Sequence, residues 1–429
     1  MREMKDSNIQ WLMEIPSNWE LKKIKYTLQE RIEKNNPVRT SDILSLTAKQ
    51  GVIPYDEKEG GGNKPKEDVS AYRLAYPGDI VMNSMNILSG SVGLSRYFGC
   101  VSPVYYMLRP RNHEYDVRYF NYIFQTTVFQ KSLFGLGNGI LIKESSNGKL
   151  NTIRMRIPMD KFGSLHIPVA TVHEQKMISD FLDVKCYEID NLVADIQSQI
   201  DTLEQYKRSV ITETVTKGLN PDAEMKNSGV KWIGPMPATW DCIRGKYILT
   251  YVQKPIREDD GVVTCFRDGE VTLRTNRRED GFTMADKEIG YQGIDVGDLV
   301  VHGMDGFAGS IGISDSRGKA SPVLNVLDTK QNKRYIMYYL RSMAYSDVFL
   351  ALATGIRVRS CDLRWNKLSE LLYPVPSLKE QQEIVEYIDS VIEKTNAVIA
   401  DKRQQLAILD EYKKSLIYEY VTGKKEVTA

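Results

Sequence analysis

Two stretches of this chain repeat apolar residues at a spacing suited to long helices. From Glu174 to about Lys217 there is neither proline nor glycine, and Leu182, Ile189, Ile196, Leu203 and Val210 recur at every seventh position, with Leu192 and Tyr206 between them. Glu380 to Thr422 is equally free of both breakers and carries Ile388, Val391, Val398, Leu409, Tyr412 and Leu416 on its own stripe, reinforced by Ile392, Ile399 and Leu406. At about 1.5 Å per residue each helix extends roughly 65 Å. A stripe of that length needs a partner to be buried, so the pattern predicts that the two helices pair as a coiled coil. Elsewhere the period changes: apolar residues alternate around glycines in Pro77 to Val104 and in Val296 to Val323, which predicts strands joined by tight turns.

Those blocks belong to a duplication. MKDSNIQWLMEIPSNWELKKIKY from Met4 returns as MKNSGVKWIGPMPATWDCIRGKY from Met225, so that Trp11, Pro16, Trp19, Lys25 and Tyr26 reappear as Trp232, Pro237, Trp240, Lys246 and Tyr247. Gly78, Asp79, Gly90, Gly93 and Pro103 likewise match Gly297, Asp298, Gly309, Gly312 and Pro322. IPVATVHEQKMISDFLD from Ile167 matches YPVPSLKEQQEIVEYID from Tyr373, and LEQYKRSVITETVT from Leu203 matches LDEYKKSLIYEYVT from Leu409. A unit of about 200 residues is too long for a solenoid repeat and long enough to own a core. Each half therefore reads as a globular domain followed by a long helix. Between the matching blocks the halves differ, most clearly at Lys49 to Ser70 against Arg267 to Ala285. A shared frame with unlike insertions implies unlike tasks. The expected division is a first domain at 1–168, a first long helix at 169–217, a linker at 218–231, a second domain at 232–374 and a second long helix at 375–424.

Composition narrows the class. The 429 residues carry 57 lysines and arginines against 56 carboxylates, which excludes a globally basic coat but leaves local basic patches open. No apolar run approaches the roughly 18 residues of a membrane span, and MREMKDSNIQ lacks the apolar centre of a signal peptide, so a cytoplasmic protein with no membrane partner is expected. Cys100, Cys186, Cys242, Cys265 and Cys361 are far apart, and the four histidines form no ligand set, so neither a disulfide framework nor a metal site is indicated.

Catalytic signatures are missing as well. There is no phosphate loop of the G-x-x-x-x-G-K-[ST] type, no Asn-Pro-Pro-Tyr or Asp-Pro-Pro-Tyr run for amino methylation, no Gly-x-Ser-x-Gly elbow and no His-Glu-x-x-His helix. Asp79 and Asp298 follow a glycine at a turn, where a carboxylate ordinarily caps backbone amides. No catalytic residue is assigned, and no cofactor is expected in this chain.

The duplicated frame, the linker TKGLNPDAEMKNSGVKWIGPMPATW, the PVP-x-x-x-EQ run at Pro374 to Gln381 and the helix ends YKRSVITETVTKGL and YKKSLIYEYVTGK resemble the DNA-specificity subunit of type I restriction-modification systems, over nearly the full length. Ala170 stands where the first half departs from the PVP run. The resemblance implies a non-catalytic subunit with mixed α/β (α+β) target-recognition domains in tandem, joined by an antiparallel coiled coil in a pseudo-two-fold duplication. It implies double-stranded DNA as ligand, read as two half-sites at a fixed spacing. It also implies two methyltransferase subunits that bring S-adenosylmethionine, and motor-nuclease subunits that bring ATP and magnesium. The competing expectation is a duplicated protein scaffold with no DNA readout of its own.

If DNA is read, the divergent segments are where base contacts belong, because arginine pairs its fork with guanine and Asn or Gln pairs with adenine. In the first domain the candidates are Lys49, Gln50, Asn63, Lys64 and Lys66, with Lys143, Arg154 and Arg156 further on. In the second they are Arg267, Arg274, Asn276, Arg277 and Arg278, followed by Arg357, Arg359 and Arg364. The repeated tryptophans read as packing anchors at each domain entry.

Overall fold

The computed structural model describes residues 2–47, 50–58, 65–137, 142–144, 150–152, 156–277, 289–352 and 363–427. The chain divides into two compact units, Met1–Asp195 with Gln404–Ala429, and Ile196–Arg403. Both are mixed α and β. Among the described residues no helix is long and apolar enough to cross a membrane.

The duplication is legible strand by strand. In the first unit an antiparallel sheet runs in the order Leu28–Glu30, Tyr105–Pro110, Ile80–Asn83, Val92–Leu94, and in the second unit in the order Leu249–Val252, Leu324–Thr329, Leu299–His302, Ile311–Ile313. The turn before each fourth strand ends on glycine at positive φ, Gly90 at 83° and Gly309 at 97°, where a side chain would be strained. A helix follows each sheet, Val117–Gln125 and Lys333–Tyr345, capped by the side chains of Asp116 and Asn332.

The Pro-Val segments just before the long helices lie in strands. His166–Val169 pairs with Glu20–Lys23, and Leu372–Val375 pairs with Asp241–Arg244. The segment expected as a linker also carries structure, since Met225–Asn227 pairs with Pro235–Pro237 as Met4–Asp6 pairs with Glu14–Pro16.

The tryptophans anchor the cores. Trp19 and Trp240 are fully buried, and their indole N–H groups donate to Glu174 Oε2 at 2.9 Å and Glu380 Oε1 at 3.0 Å, the glutamates of the two EQ pairs. The neighbouring glutamines stitch each long helix to the sheet-following helix. Gln175 donates to Ala170 O and accepts from Asp116 N, as Gln381 donates to Pro376 O and accepts from Asn332 N. Tyr119 offers its hydroxyl to Pro168 O and Val421 O, as Tyr335 does to Pro374 O and Val215 O. Arg118 and Tyr122 hold Asp183, as Arg334 and Tyr338 hold Asp389. Every one of these pairs is related by the duplication.

The long helices span Val172–Lys217 and Leu378–Val421 and pack antiparallel. In the second unit Lys207 Nζ donates to Asn396 Oδ1 at 2.8 Å, and Lys402 donates to Gln199. In the first unit Lys413 reaches Asp190 at 2.6 Å, and the rings of Phe181 and Tyr420 stand 4.5 Å apart. Within the expected stripe Leu182, Ile189, Ile196, Ile388 and Leu416 are buried, whereas Leu203, Val210, Val391 and Leu409 are half-buried. Val398, Leu192, Tyr206 and Tyr412 lie off it, each close to half exposed. A straight α-helix drifts by about 20° per seven residues. The buried face therefore moves onto Ile178, Ile200 and Ile211, which the spacing of seven from Leu182 passes over, while Ile384 and the reinforcing Ile399 are buried on the second helix.

Candidate nucleic-acid interface

The divergent segments fall at equivalent places. In the first unit Leu44–Thr47 and Gly51–Pro54 form a hairpin, and in the second Val263–Cys265 and Val271–Leu273 do the same. Gln50 sits exposed in the first hairpin turn, its backbone N–H donating to Thr47 Oγ1, and Arg267 sits exposed in the second. A 3-10 turn follows each hairpin, Tyr55–Glu57 in one and Arg274–Asn276 in the other. One frame thus presents Gln50 in the hairpin turn of one unit and Arg267 with Asp268 in that of the other.

The second-unit candidates are held rather than loose. Arg267 pairs with Asp305 at 3.1 Å, and Arg274 Nε donates to Thr264 Oγ1 at 3.2 Å. Asn276 donates to Thr272 Oγ1 at 2.8 Å. Arg277 pairs with Asp268 at 2.7 Å and Glu270 at 3.2 Å, and its guanidinium lies 4.2 Å from the centroid of the Phe266 ring. Such pairing fixes the planar groups in place, and each fork retains donors for an incoming acceptor. Arg364 is exposed at the start of the short helix Trp365–Leu368. Lys66 is exposed, and its backbone N–H donates to the Tyr72 hydroxyl. Arg156 is exposed with its guanidinium 5.9 Å from the Tyr106 ring, and Lys143 belongs to the strand Ile142–Glu144. Lys49, Asn63, Lys64, Arg154, Arg278, Arg357 and Arg359 lie outside the described residues.

Asp79 and Asp298 cap turns and carry a cation each. Asp79 accepts from Tyr76 N and takes Arg31 at 2.9 and 3.1 Å, while Asp298 accepts from Asp295 N and takes Lys254 at 2.7 Å. In the second unit this grows into a network in which Arg317 joins Asp295 and Asp260. Hydrogen bonds from Lys254 and then Arg317 hold the Asp295 carboxyl down at about 2, and Arg317 likewise lowers that of Asp260. A depressed folded-state value stabilises the fold above the unfolded aspartate range, near 3.9, and that contribution is lost as pH falls toward 2. Chemical denaturation at pH 3 is therefore expected to show a lower midpoint for the second unit than at pH 6. Asp295→Asn should flatten that difference, and an unchanged pH response in the variant would refute the assignment.

Among the described residues no group of three or more histidine, cysteine, aspartate or glutamate side chains is placed to hold a metal ion. One feature escaped the sequence: Lys207 and Arg208 on the first long helix, Arg403 on the second and Arg341 share a cleft with Arg267. On a surface helix such residues look like any solvated charge, and only the fold brings them together.

No family model matches the sequence. The chain is 22% identical over 441 residues to a protein named as the specificity subunit of the type I restriction enzyme MjaX of Methanocaldococcus jannaschii, covering 96% of this chain and 95% of that one. It is 24% identical over 283 residues to the MjaVIII type I specificity subunit of the same organism, 62% of this chain and 63% of the relative. A chain solved in work on complex assembly and conformational transition of a type I restriction-modification system shares the fold, with a TM-score of 0.67 at 11% identity, covering 96% of this chain and 99% of that one. Over nearly its whole length the chain is thus similar in sequence to a type I specificity subunit, and it shares its fold with a chain from a type I restriction-modification system.

Proposed function

We propose that this protein is the non-catalytic DNA-specificity subunit of a type I restriction-modification complex, reading an asymmetric bipartite target with one half-site for each globular domain. The observation that carries this reading is the pairing of a duplicated frame with unlike hairpin turns: the same Trp, Glu, Gln and Tyr bonds build both units, yet Gln50 occupies one turn and Arg267 the other. A frame used twice presents two reading surfaces, and unlike turns make the halves of the target different. In this reading the paired helices set the spacing between half-sites.

The helices also offer equivalent surfaces to two copies of one partner. Tyr206 and Val398 are exposed beside the Lys207 to Asn396 bond, and Tyr412 and Leu192 are exposed beside the Lys413 to Asp190 bond. Two like surfaces suit two adenine-methyltransferase subunits. Those subunits would bring S-adenosylmethionine, and motor-nuclease subunits would bring ATP and magnesium; this chain supplies neither cofactor nor catalytic residue. Comparing the adenine methylation of a host genome with and without this gene tests the proposal. One asymmetric two-part motif should lose its methylation when the gene is removed. An assembled complex that methylates without sequence preference would instead favour the duplicated scaffold.

A further inference from the structure

The second unit contains a cleft of about 830 Å³ walled by both long helices, the hairpin turn at Arg267 and the helix Lys333–Tyr345. Its charge is one-sided: Lys207, Arg208, Arg267, Arg341 and Arg403 face three carboxylates, Glu204, Asp268 and Asp347. Two of those carboxylates are already engaged, Glu204 by Lys207 at 2.8 Å and Asp268 by Arg277 at 2.7 Å. Among the described residues Arg208, Arg341 and Arg403 have no carboxylate partner. Tyr345 orients two of them, since the Arg208 guanidinium lies 5.3 Å from its ring centroid and Arg341 Nε donates to its hydroxyl at 2.8 Å. Each guanidinium has five N–H donors, so both keep donors to spare.

The duplication sharpens the point. Lys413 and Lys414 correspond to Lys207 and Arg208, and each is taken by a carboxylate, Asp190 and Asp410, at 2.6 Å. Asp190 itself stands where the second unit has Asn396, and Gln125 stands where it has Arg341. The cation excess is thus a property of one unit and not of the frame. The cleft's apolar residues are also withdrawn, for Ile211 is buried and Phe307, Leu350 and Ile392 are half-buried. A protein dock is built around an exposed apolar or aromatic anchor, whereas Phe307, Tyr345, Leu350 and Ile392 in this cleft are each half-buried.

We infer that this cleft binds the phosphate backbone of DNA, gripping the duplex by charge beside the hairpin that carries Arg267. The inference rests on the proposed function and adds to it a sequence-independent contact made by the helices, where base reading is not expected. Arginine forks match phosphate oxygens, and contacts of this kind set affinity and position without choosing sequence.

The test uses the full chain assembled with its methyltransferase subunits, a duplex carrying the target motif and an unrelated duplex of equal length. Arg208 and Arg403 are exposed helix positions, so Arg208→Gln with Arg403→Gln is expected to fold, and thermal melting checks that it does. The expected result is a loss of affinity on the order of tenfold for both duplexes and a salt dependence shallower by about two units of slope, one for each lost contact. The ratio between the duplexes should stay constant, and Arg208→Lys with Arg403→Lys should restore the slope. Unchanged slope and affinity in the glutamine variant would overturn the inference while leaving the specificity function standing. Loss of methyltransferase assembly in place of DNA affinity would assign the cleft to a protein. A wild-type complex that does not bind the target duplex preferentially would remove the proposed function, and the cleft's role with it.

Discussion

Replacing Trp240 with alanine is expected to destabilise the second unit by about 3–5 kcal/mol, the usual cost of deleting a large buried aromatic. The indole is fully buried, and a Cβ built on Gly218 would stand 3.1 Å from its Cζ2, so the ring fills the corner where the first long helix ends. Its loss also removes the N–H donor from Glu380 in the first turn of the second long helix. Denaturant unfolding of the full chain reads the effect as an earlier transition. Trp240→Phe separates the two contributions: it retains most of the buried area and loses the hydrogen bond, for a smaller cost of about 1 kcal/mol. A ring that served to stack on DNA bases would behave in the opposite way, leaving stability intact and weakening binding. A cost for Trp240→Ala below about 1 kcal/mol would therefore overturn the anchor assignment.

The second expectation concerns length. Seven residues inserted at matched points in both long helices keep the buried face to within about 20° and add about 10.5 Å of helix. If the helices space the two recognition domains, the assembled complex should keep both half-sites and accept a spacer longer by at most about three base pairs, taking 3.4 Å for each. Methylation mapping of a host carrying the variant measures this directly. An unchanged spacer with normal activity would show that the helices do not set it. Inserting two residues instead turns the stripe by about 200°, away from its partner, and that variant should lose stability rather than change target.

The frame was the legible part of the sequence because its residues are rare and repeated. Two tryptophans, an EQ pair and a Pro-Val segment at matched intervals announced the duplication; the second tryptophan of each copy bonds the EQ glutamate, and the Pro-Val segment pairs with the strand that follows that tryptophan. The helix stripe was legible at Leu182, Ile189 and Ile388. It misled at Leu192, Tyr206, Val398 and Tyr412, because spacing alone cannot register the drift of a straight helix. Least legible was the basic cleft. Arg267 could be singled out from a divergent segment, but Arg341 and Arg403 are far from it in sequence and share its cleft only through the fold.

The first unit is assembled from both ends of the chain, whereas the second is one continuous stretch. Leu416, Ile417 and Val421 belong to the first unit's core, and Tyr119 donates to Val421 O. On the ribosome these residues emerge about two hundred positions after Asp195, a delay of roughly 10–40 seconds at ordinary elongation rates. The usual amino-to-carboxyl order of domain folding is thereby inverted. The second unit can close while the first still exposes unfinished apolar surface, so the nascent amino-terminal part is the species that a chaperone meets.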